Sequence, residues 1–269
     1  CENGKLKIGK RVIHDYKRFK TLTFSQVIEK SSNIGVIKFS HSLVPRDLYL
    51  IILKFGLGTK TGIDLPGESS GLVTDFKCWD DASMLSIPIG QEIAATPLQM
   101  LMVYAAIAND GILLRPYILK EAGKEINQSV VIRRTIEQET IRTLKEILRK
   151  TVKNGTGSSA NIDGVEVCGK TGTGQKFIKE LDKYSEKKYF ASFIGFFPKD
   201  KPIVCIGVFI DEPEKKYYGG EVAGPIFKNI AENIVKYYNL NTKMLYVNNN
   251  SINKNATRSK LEFNDGRMP

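Results

Sequence analysis

The chain has 269 residues, a formal net charge of +11 and 42% hydrophobic residues, which is enough for a core in one large domain or two small ones. Residues 1–269 contain no run of about eighteen apolar residues, so they predict no membrane-spanning helix, and the first residues lack a signal-peptide pattern. The lysines are spread out without an interleaved arginine–aromatic run, which argues against a nucleic-acid partner and leaves attraction to an anionic polymer or membrane surface open.

The first residue and the cysteines carry two further expectations. The sequence begins with Cys1 rather than with methionine, from which we expect a fragment of a longer protein. Cys1, Cys78, Cys168 and Cys205 show no close pairing and no metal-ligand spacing. They therefore predict free, mostly buried thiols, and the sequence predicts neither a metal nor a cofactor.

The N-terminal part predicts a basic hairpin followed by two short helices. His14 and Asp15 lie in the hairpin region, and because sequence neighbours point apart in a strand we expect a local structural role for them. A capping box at Thr23-Phe24-Ser25-Gln26 begins the first helix, and the second ends near Leu43. Between the helices, Ser31-Ser32-Asn33 forms a break lined with hydroxyl and amide groups. Such residues are typical helix caps, so they indicate a functional site only if a partner motif exists elsewhere.

The middle of the chain predicts two helices separated by a long loop. The first helix covers residues 45–54, and residues 56–79 form a loop rich in glycine, proline and serine. Lys60-Thr61-Gly62 lies in this loop, so we interpret it as a turn. Thr96-Pro97-Leu98-Gln99 combines a capping box with proline at the first helical position. It begins a nearly all-apolar helix over residues 97–109, which we expect to be buried in the core.

The second half predicts a sheet with flanking helices. The predicted elements in chain order are strands at 112–119 and 129–132, a helix at 137–153, a central strand at 165–174, a lysine-rich loop at 175–188, strands at 189–197 and 202–211, a turn at Gly219-Gly220-Glu221 and an amphipathic helix from Ala223 to Tyr238. The two strands after the loop are predicted to be antiparallel neighbours of the central strand. Residues 240–269 are rich in asparagine and lysine and predict a disordered polar tail.

The central strand carries the motif Lys170-Thr171-Gly172-Thr173. Thr171 and Thr173 lie on one face of such a strand and Lys170 on the other. Glycine within the strand allows another backbone to approach closely. An edge strand of this kind can receive an extended peptide as an added strand, with hydroxyls and a lysine beside the carboxylate of the peptide. Lys-Thr-Gly on a strand is also one of three signatures of penicillin-recognising serine enzymes.

Taken together, these motifs resemble the transpeptidase domain of class B penicillin-binding proteins over about residues 5–237. The resemblance rests on order and spacing of five segments: 31–35, 90–99, 169–173, 189–196 and 218–227. The sequence around His14-Asp15, and Ser-Ser-Asn in place of Ser-x-Asp, are most similar to the division-specific branch. The resemblance assigns residues 1–239 to a partial transpeptidase domain.

The resemblance implies an α/β fold like that of penicillin-binding proteins and serine β-lactamases. In that fold, an antiparallel sheet has helices on both faces and an all-helical region beside it. The implied reaction is acyl transfer from the D-Ala-D-Ala end of a peptidoglycan stem peptide to an acceptor amine, with β-lactams acylating the same serine. The implied partners are stem peptides, β-lactams and divisome membrane proteins, with no nucleic acid. The implied location is the periplasmic face of the bacterial cytoplasmic membrane, held by an anchor helix upstream of this sequence.

Roles for the site residues follow from the same resemblance. Ser31 would relay a proton, Asn33 would bind the substrate amide, and Ser32 would line the substrate site. Lys170 would hold Ser31 by a charge-assisted hydrogen bond and keep the pocket positive. The residues expected to bind the substrate end are Thr171 and Thr173, which would take its carboxylate, and Gly172, which would keep the strand clear. The backbone N–H of Thr173 would be one oxyanion donor.

The sequence offers no nucleophile for this reaction. In the family a Ser-x-x-Lys motif precedes Ser-x-Asn by about fifty residues, so we expect it before Cys1. Matches begin at Ser185 and Ser251, but both follow Lys170 and neither begins a buried helix. With this lysine content about two matches are expected by chance.

Two alternative functions stay open. A D,D-carboxypeptidase or β-lactam hydrolase shares the Lys-Thr-Gly chemistry but transfers the acyl group to water. A truncated product would act at most as a binding module. The Tyr218-Gly219-Gly220 region and the Thr96 capping box favour the transpeptidase.

Overall fold

The computed structural model describes residues 1–9, 11–119 and 129–240. Most of the predicted tail and the motif beginning at Ser251 lie outside the described residues. The strands are β1 Lys5–Ile8, β2 Arg11–His14, β3 Leu72–Val73, β4 Ile93–Ala94, β5 Ile112–Leu114, β6 Val131–Arg134, β7 Cys168–Ile178, β8 Lys183–Phe197 and β9 Val204–Asp211. The helices are α1 Phe24–Glu29, α2 Asn33–Ser40, α3 Pro45–Lys54, α4 Ser83–Ser86, α5 Pro97–Ala108, α6 Gln138–Asn154 and α7 Gly219–Tyr237.

Strands β7, β8 and β9 form an antiparallel sheet in that order. In the register of β7 and β8, Lys170 lies opposite Ile194, Gly172 opposite Ser192 and Thr173 opposite Ala191. Within the part of the chain that the structure describes, β7 pairs only with β8. The strand that carries Lys170 is therefore an edge strand there.

Alternating residues of the sheet pack against helices on both faces. On one face, α7 packs through Ala223, Phe227 and Ala231 against Phe193 and Phe197 of β8. On the other face, α5 and α6 pack against the sheet through a cluster that contains Ile107, Ile141, Leu148, Cys168 and Phe196. The mixed α/β fold with helices on both faces is confirmed.

A third cluster forms the helical region beside the sheet. It joins β2, α2 and α4 through Ile13, Ile34, Ile37 and Leu85. This cluster fixes α2, and so the end of α2 that carries Asn33, against the N-terminal hairpin. The helical region therefore also contains the β1–β2 hairpin, which packs against its helices.

Helix ends were predicted closely where a local cap specifies them. Both reciprocal capping-box hydrogen bonds are present at Thr23 and at Thr96. The α6 helix lies within one residue of its predicted bounds, with Glu137 as its N-cap. Each of these ends depends on contacts within four residues, which a sequence pattern contains.

Several predictions that depended on longer contacts are wrong. Residues 175–188 are a continuation of the β7–β8 hairpin, in which Phe177 lies opposite Tyr184, and not a loop. The predicted turn at Gly219 is the first turn of α7. Glycine is required there because a side chain would collide with the backbone of Gly172 and Ser192. Strand β9 neighbours β8 and not β7.

Two predictions of burial were also too strong. Among the residues of α5, only Gln99, Ala106 and Ile107 are buried, because the helix packs along one side and leaves its other apolar positions partly exposed. The four cysteines are free thiols as predicted, but Cys78 is exposed. Composition alone indicated apolar character without showing which side of an element is covered.

Candidate active site

Ser31 lies in a strained conformation at the corner between α1 and α2. Its φ is +53°, in the left-handed region that non-glycine residues rarely occupy. The N–H of Ser31 donates to the carbonyl of Ile28 (3.2 Å), and the N–H of Ser32 donates to that of Val27 (3.0 Å). These two bonds form a Schellman motif, which ordinarily has glycine at the position of Ser31. A strained residue retained at such a place is typical of functional sites.

Asp15 clamps this corner from the N-terminal hairpin. Its Oδ2 accepts from the hydroxyl of Ser32 (2.7 Å), and its Oδ1 accepts from the N–H of Ile34 (3.0 Å). Ser32 is also the N-cap of α2, with its Oγ accepting from the N–H of Gly35 (2.9 Å). The local structural role expected of Asp15 is therefore present.

Ser32 itself is 1% exposed, with its hydroxyl engaged on both sides. Its burial favours a capping role over contact with a substrate. Asn33 is half-buried, and its Nδ2 donates to the carbonyl of His14 (3.1 Å). The Oδ1 of Asn33 accepts no hydrogen bond from the described residues, which leaves an acceptor for a substrate amide.

Lys170 meets Ser31 although 139 positions separate them. Its Nζ donates to Ser31 Oγ (2.9 Å) and to the carbonyl of Thr171 (3.2 Å). Among the described residues, no carboxylate lies within ion-pair distance of Lys170. Burial therefore lowers the pKa of Lys170 to about 8, with no acidic partner to oppose it. The lysine is a cation at neutral pH whose charge is not neutralised locally.

The end of α6 brings α1 and β7 together. The N–H of Thr156 donates to the carbonyl of Glu29 (3.2 Å), and Lys30 Nζ donates to that of Asn154 (2.7 Å). At the other end of the connection, Arg149 of α6 donates to the carbonyl of Val167 (3.3 Å), directly before β7. These contacts hold α1 and the start of β7 against the end of α6, and so support the approach of Ser31 to Lys170.

The hydroxyls of Thr171 and Thr173 both have hydrogen-bond partners outside β7. Thr173 is exposed, and its Oγ1 accepts from the N–H of Gly219 at the first position of α7 (2.9 Å). The Oγ1 of Thr171 lies 2.8 Å from that of Thr156. A side chain at Gly172 would collide with Ser192 Oγ. The glycine therefore makes room for a neighbouring strand within the sheet, in addition to any role toward a substrate.

The structure thus brings Ser31 and Lys170 into contact and places Thr171 and Thr173 on the same strand. The sequence did not predict that Thr156 and Gly219 form hydrogen bonds with Thr171 and Thr173. Thr156 lies just after the helix predicted at 137–153, and Gly219 lies in the predicted turn. A single sequence contains no signal for either contact, because each joins residues that are 15 or 46 positions apart.

The other candidate motifs lie outside this arrangement. In the Lys60-Thr61-Gly62 loop, Thr61 and Gly62 bind the carboxylate of Glu68. Ser185 lies within β8, 6% exposed, and its Oγ accepts from the N–H of Lys187 and of Lys188. A cavity of about 560 Å³ beside α2 is lined by the N-terminal residues and contains none of the predicted site residues.

Known proteins are similar to this chain in both sequence and fold. The peptidoglycan D,D-transpeptidase FtsI of Buchnera aphidicola is 34% identical over 238 residues, which cover 87% of this chain and 41% of that protein. The transpeptidase domain of Burkholderia pseudomallei penicillin-binding protein 3 superposes with a TM-score of 0.80 at 30% identity, covering 89% of this chain and 72% of that one. Penicillin-binding protein 3 of Mycobacterium tuberculosis in complex with ampicillin gives a TM-score of 0.80 at 33% identity, covering 88% and 56%.

The match extends over nearly the whole described chain but over only part of its relatives. The chain spans between 36% and 41% of the length of three curated relatives that it matches. Residues 1–232 match the family described as the penicillin binding protein transpeptidase domain. With this match, the antiparallel sheet and the lysine–serine contact described above, the chain belongs to the penicillin-binding protein transpeptidase domain family.

Proposed function

We propose that residues 1–239 form the substrate-binding and proton-transfer part of a peptidoglycan D,D-transpeptidase that acts at cell division. The observation that carries the proposal is the hydrogen bond from Lys170 Nζ to Ser31 Oγ. It places a cation and a hydroxyl side by side at β7. Among the described residues β7 is an edge strand, to which an extended peptide could add. The names of the relatives support the reaction class.

Lys170 and Ser31 would handle the proton in this reaction. A serine nucleophile attacks the carbonyl of the penultimate D-Ala, the peptide bond to the last D-Ala breaks, and the leaving amine takes a proton. An acceptor amine then attacks the acyl-enzyme ester, loses a proton and restores the serine. Ser31 can relay the proton in both steps, because Lys170 fixes its hydroxyl and the left-handed backbone holds the hydroxyl in place. We assign no nucleophile among residues 1–269.

Substrate recognition falls to the strand and to Asn33. The hydroxyls of Thr171 and Thr173 would bind the terminal carboxylate, and the cationic Lys170 would favour that charge. The Oδ1 of Asn33 would accept from an amide of the stem peptide. The backbone N–H of Thr173 would be an oxyanion donor, a contribution for which loss of one donor costs about 100-fold or more in rate.

The site would also bind β-lactams, as the ampicillin complex of the M. tuberculosis protein does. Among the described helices, none has the length and apolar character needed to cross a bilayer. We propose a periplasmic site for the domain, held at the cytoplasmic membrane by the protein as a whole. Membrane proteins of the division machinery would be its partners.

Two other outcomes are distinguishable by product analysis. A D,D-carboxypeptidase or β-lactam hydrolase would release the acyl group to water even with an amine acceptor in excess. A binding module would hold the peptide without releasing D-Ala. The transpeptidase reading predicts that an added amine acceptor appears in the product.

Acylation by a fluorescent penicillin tests the role of Lys170 in the intact protein that carries this sequence. We expect Lys170→Ala to abolish labelling and Lys60→Ala, in the Lys60-Thr61-Gly62 copy of the motif, to retain it. Circular dichroism checks that both variants fold. Wild-type labelling of Lys170→Ala would overturn the proposal.

The position of the adduct tests the role of Ser31. In the 269-residue polypeptide alone, mass spectrometry should find no penicillin adduct on Ser31, Ser185 or Ser251. An adduct on Ser31 would show that it is the nucleophile rather than a relay. An adduct on Ser185 or Ser251 would show that this serine is a nucleophile, contrary to the sequence analysis.

A further inference from the structure

The two threonine hydroxyls on one face of β7 each have a hydrogen-bond partner within the fold. Thr173 Oγ1 accepts from the N–H of Gly219, the first residue of α7. An N–H in the first turn of a helix has no partner within the helix, so it is free to make this bond. Since a hydroxyl has one hydrogen to donate, an acceptor position filled by Gly219 leaves the Thr173 hydrogen for a ligand.

Thr171 has an equivalent support in the hydroxyl of Thr156. The two Oγ1 atoms are 2.8 Å apart, and either could donate. A bound carboxylate decides between them, because it only accepts hydrogen bonds. Thr171 must then give its single hydrogen to the carboxylate, and its oxygen accepts from Thr156. The result is a chain of donors from Thr156 through Thr171 to the ligand, in which each bond strengthens the next.

Thr156 also contacts α1, the helix that ends just before Ser31. Its backbone N–H donates to the carbonyl of Glu29 (3.2 Å), two residues before Ser31. The backbone of Gly155 packs so closely on the same carbonyl that a side chain there would collide with it. Thr156 thus contacts α1 through its backbone and β7 through its side chain.

We propose that Thr156 is a positioning residue for recognition of the ligand carboxylate. It acts through Thr171 and does not itself touch the ligand. This inference rests on the proposed function, since it requires that Thr171 bind the terminal carboxylate of a D-Ala-D-Ala peptide. It adds a residue 14 positions before Lys170 to the recognition site.

Two model peptides separate a positioning role from a structural one. One is an acetylated Lys-D-Ala-D-Ala peptide with a free carboxylate, and the other has the same sequence with a terminal amide. Their dissociation constants are measured on the intact protein by isothermal titration calorimetry. Thr156→Val removes the hydroxyl, keeps the shape of the side chain and keeps the backbone bond to Glu29. Thr143→Val, on the exposed face of α6, is the matched control.

We expect Thr156→Val to weaken the carboxylate peptide by about 3- to 12-fold, which is about 0.7–1.5 kcal/mol at 1.4 kcal/mol per tenfold. The amide peptide should be weakened less, because its neutral carbonyl oxygen accepts a weaker hydrogen bond than a carboxylate does. Thr156→Ser should restore the carboxylate affinity. If Thr156→Val does not fold, Thr156→Ser and Thr156→Ala form a second pair that differs only by a hydroxyl.

The possible failures are distinguishable. Equal weakening of both peptides would mean that Thr156 is only structural, and unchanged carboxylate affinity would mean that it has no part in recognition. Either result overturns the inference and leaves the proposed function standing. A wild-type protein without preference for the carboxylate peptide would overturn the proposed function, and the inference with it.

Discussion

Replacing Ser31 by glycine should stabilise the fold relative to alanine while removing the function of the site. Both changes delete the hydroxyl that Lys170 binds, so this loss cancels in the comparison. They differ in the backbone, where φ is +53°. A left-handed conformation costs a non-glycine residue about 1–2 kcal/mol, and the freedom of glycine in the unfolded chain offsets about 0.5–1 kcal/mol of that gain. The expected advantage of Ser31→Gly over Ser31→Ala is therefore about 1 kcal/mol.

Thermal unfolding and penicillin acylation measure the two halves of this prediction. A difference of about 1 kcal/mol corresponds to a rise in Tm of about 2–4 °C for a domain of this size. Both variants should acylate at least about 100-fold more slowly than wild type, since a general acid–base group contributes that much or more. A glycine variant no more stable than the alanine variant would refute the strain argument. Wild-type acylation by either one would refute the relay role.

Three further predictions concern the residues around Ser31. The pKa of Lys170, about 8 in the fold against 10.5 for an ordinary lysine, means that the unfolded chain binds more protons between these values. Chemical denaturation gives the free energies of unfolding of wild type and of Lys170→Met. The wild-type value minus the Lys170→Met value should rise from about pH 8 to about pH 10.5. A difference that does not change with pH would contradict the burial of Lys170. Gly172→Ala should destabilise by about 1–3 kcal/mol through its collision with Ser192 Oγ. Adding Ser192→Ala should recover most of this loss, because the Ser192 Cβ lies 3.8 Å from the new methyl; a double variant as unstable as the single one would contradict the contact. Asp15→Asn should lower the free energy of unfolding by about 1–2 kcal/mol, since one of its two acceptors at the start of α2 is lost, and an unchanged urea midpoint would show that the clamp is dispensable.

The sequence contained the helix ends, because these depend on neighbouring residues. The Thr96 capping box predicted the start of α5 to the residue, since cap and partner are three positions apart. The interruption at Ser31 was predicted as a break between helices, but its left-handed backbone was not. That conformation follows from the Schellman bonds, and the usual signal for them, a glycine, is absent.

What the sequence could not show depends on contacts between distant elements. The lysine-rich segment 175–188 resembled a loop by composition, yet Phe177 and Tyr184 pair within a hairpin. Gly219 resembled a turn, although its smallness serves the close packing of α7 on β7 and β8. The same residue types fit both interpretations. Only the packed fold decides which of them applies.

The two copies of Lys-Thr-Gly show why one is structural and the other is a candidate site. At the first copy, Glu68 accepts from the N–H and hydroxyl of Thr61 (2.6 Å each) and from the N–H of Gly62 (3.1 Å). Desolvation raises the pKa of Glu68, but these hydrogen bonds outweigh it and the net pKa is lowered, so the carboxylate is held in its charged form.

The tripeptide is therefore suited to bind a carboxylate wherever its backbone and hydroxyl are free to do so. At the second copy, no carboxylate of the described residues lies against Thr171 or Lys170. The support behind Thr171 comes from a hydroxyl, and the support behind Thr173 comes from an N–H. Thr173 keeps a hydrogen to donate, and Thr171 keeps one when Thr156 is the donor between them. The lysine keeps a charge that no described neighbour neutralises. The chain satisfies its first motif with its own glutamate. In the function that we propose, the second motif binds a carboxylate from outside.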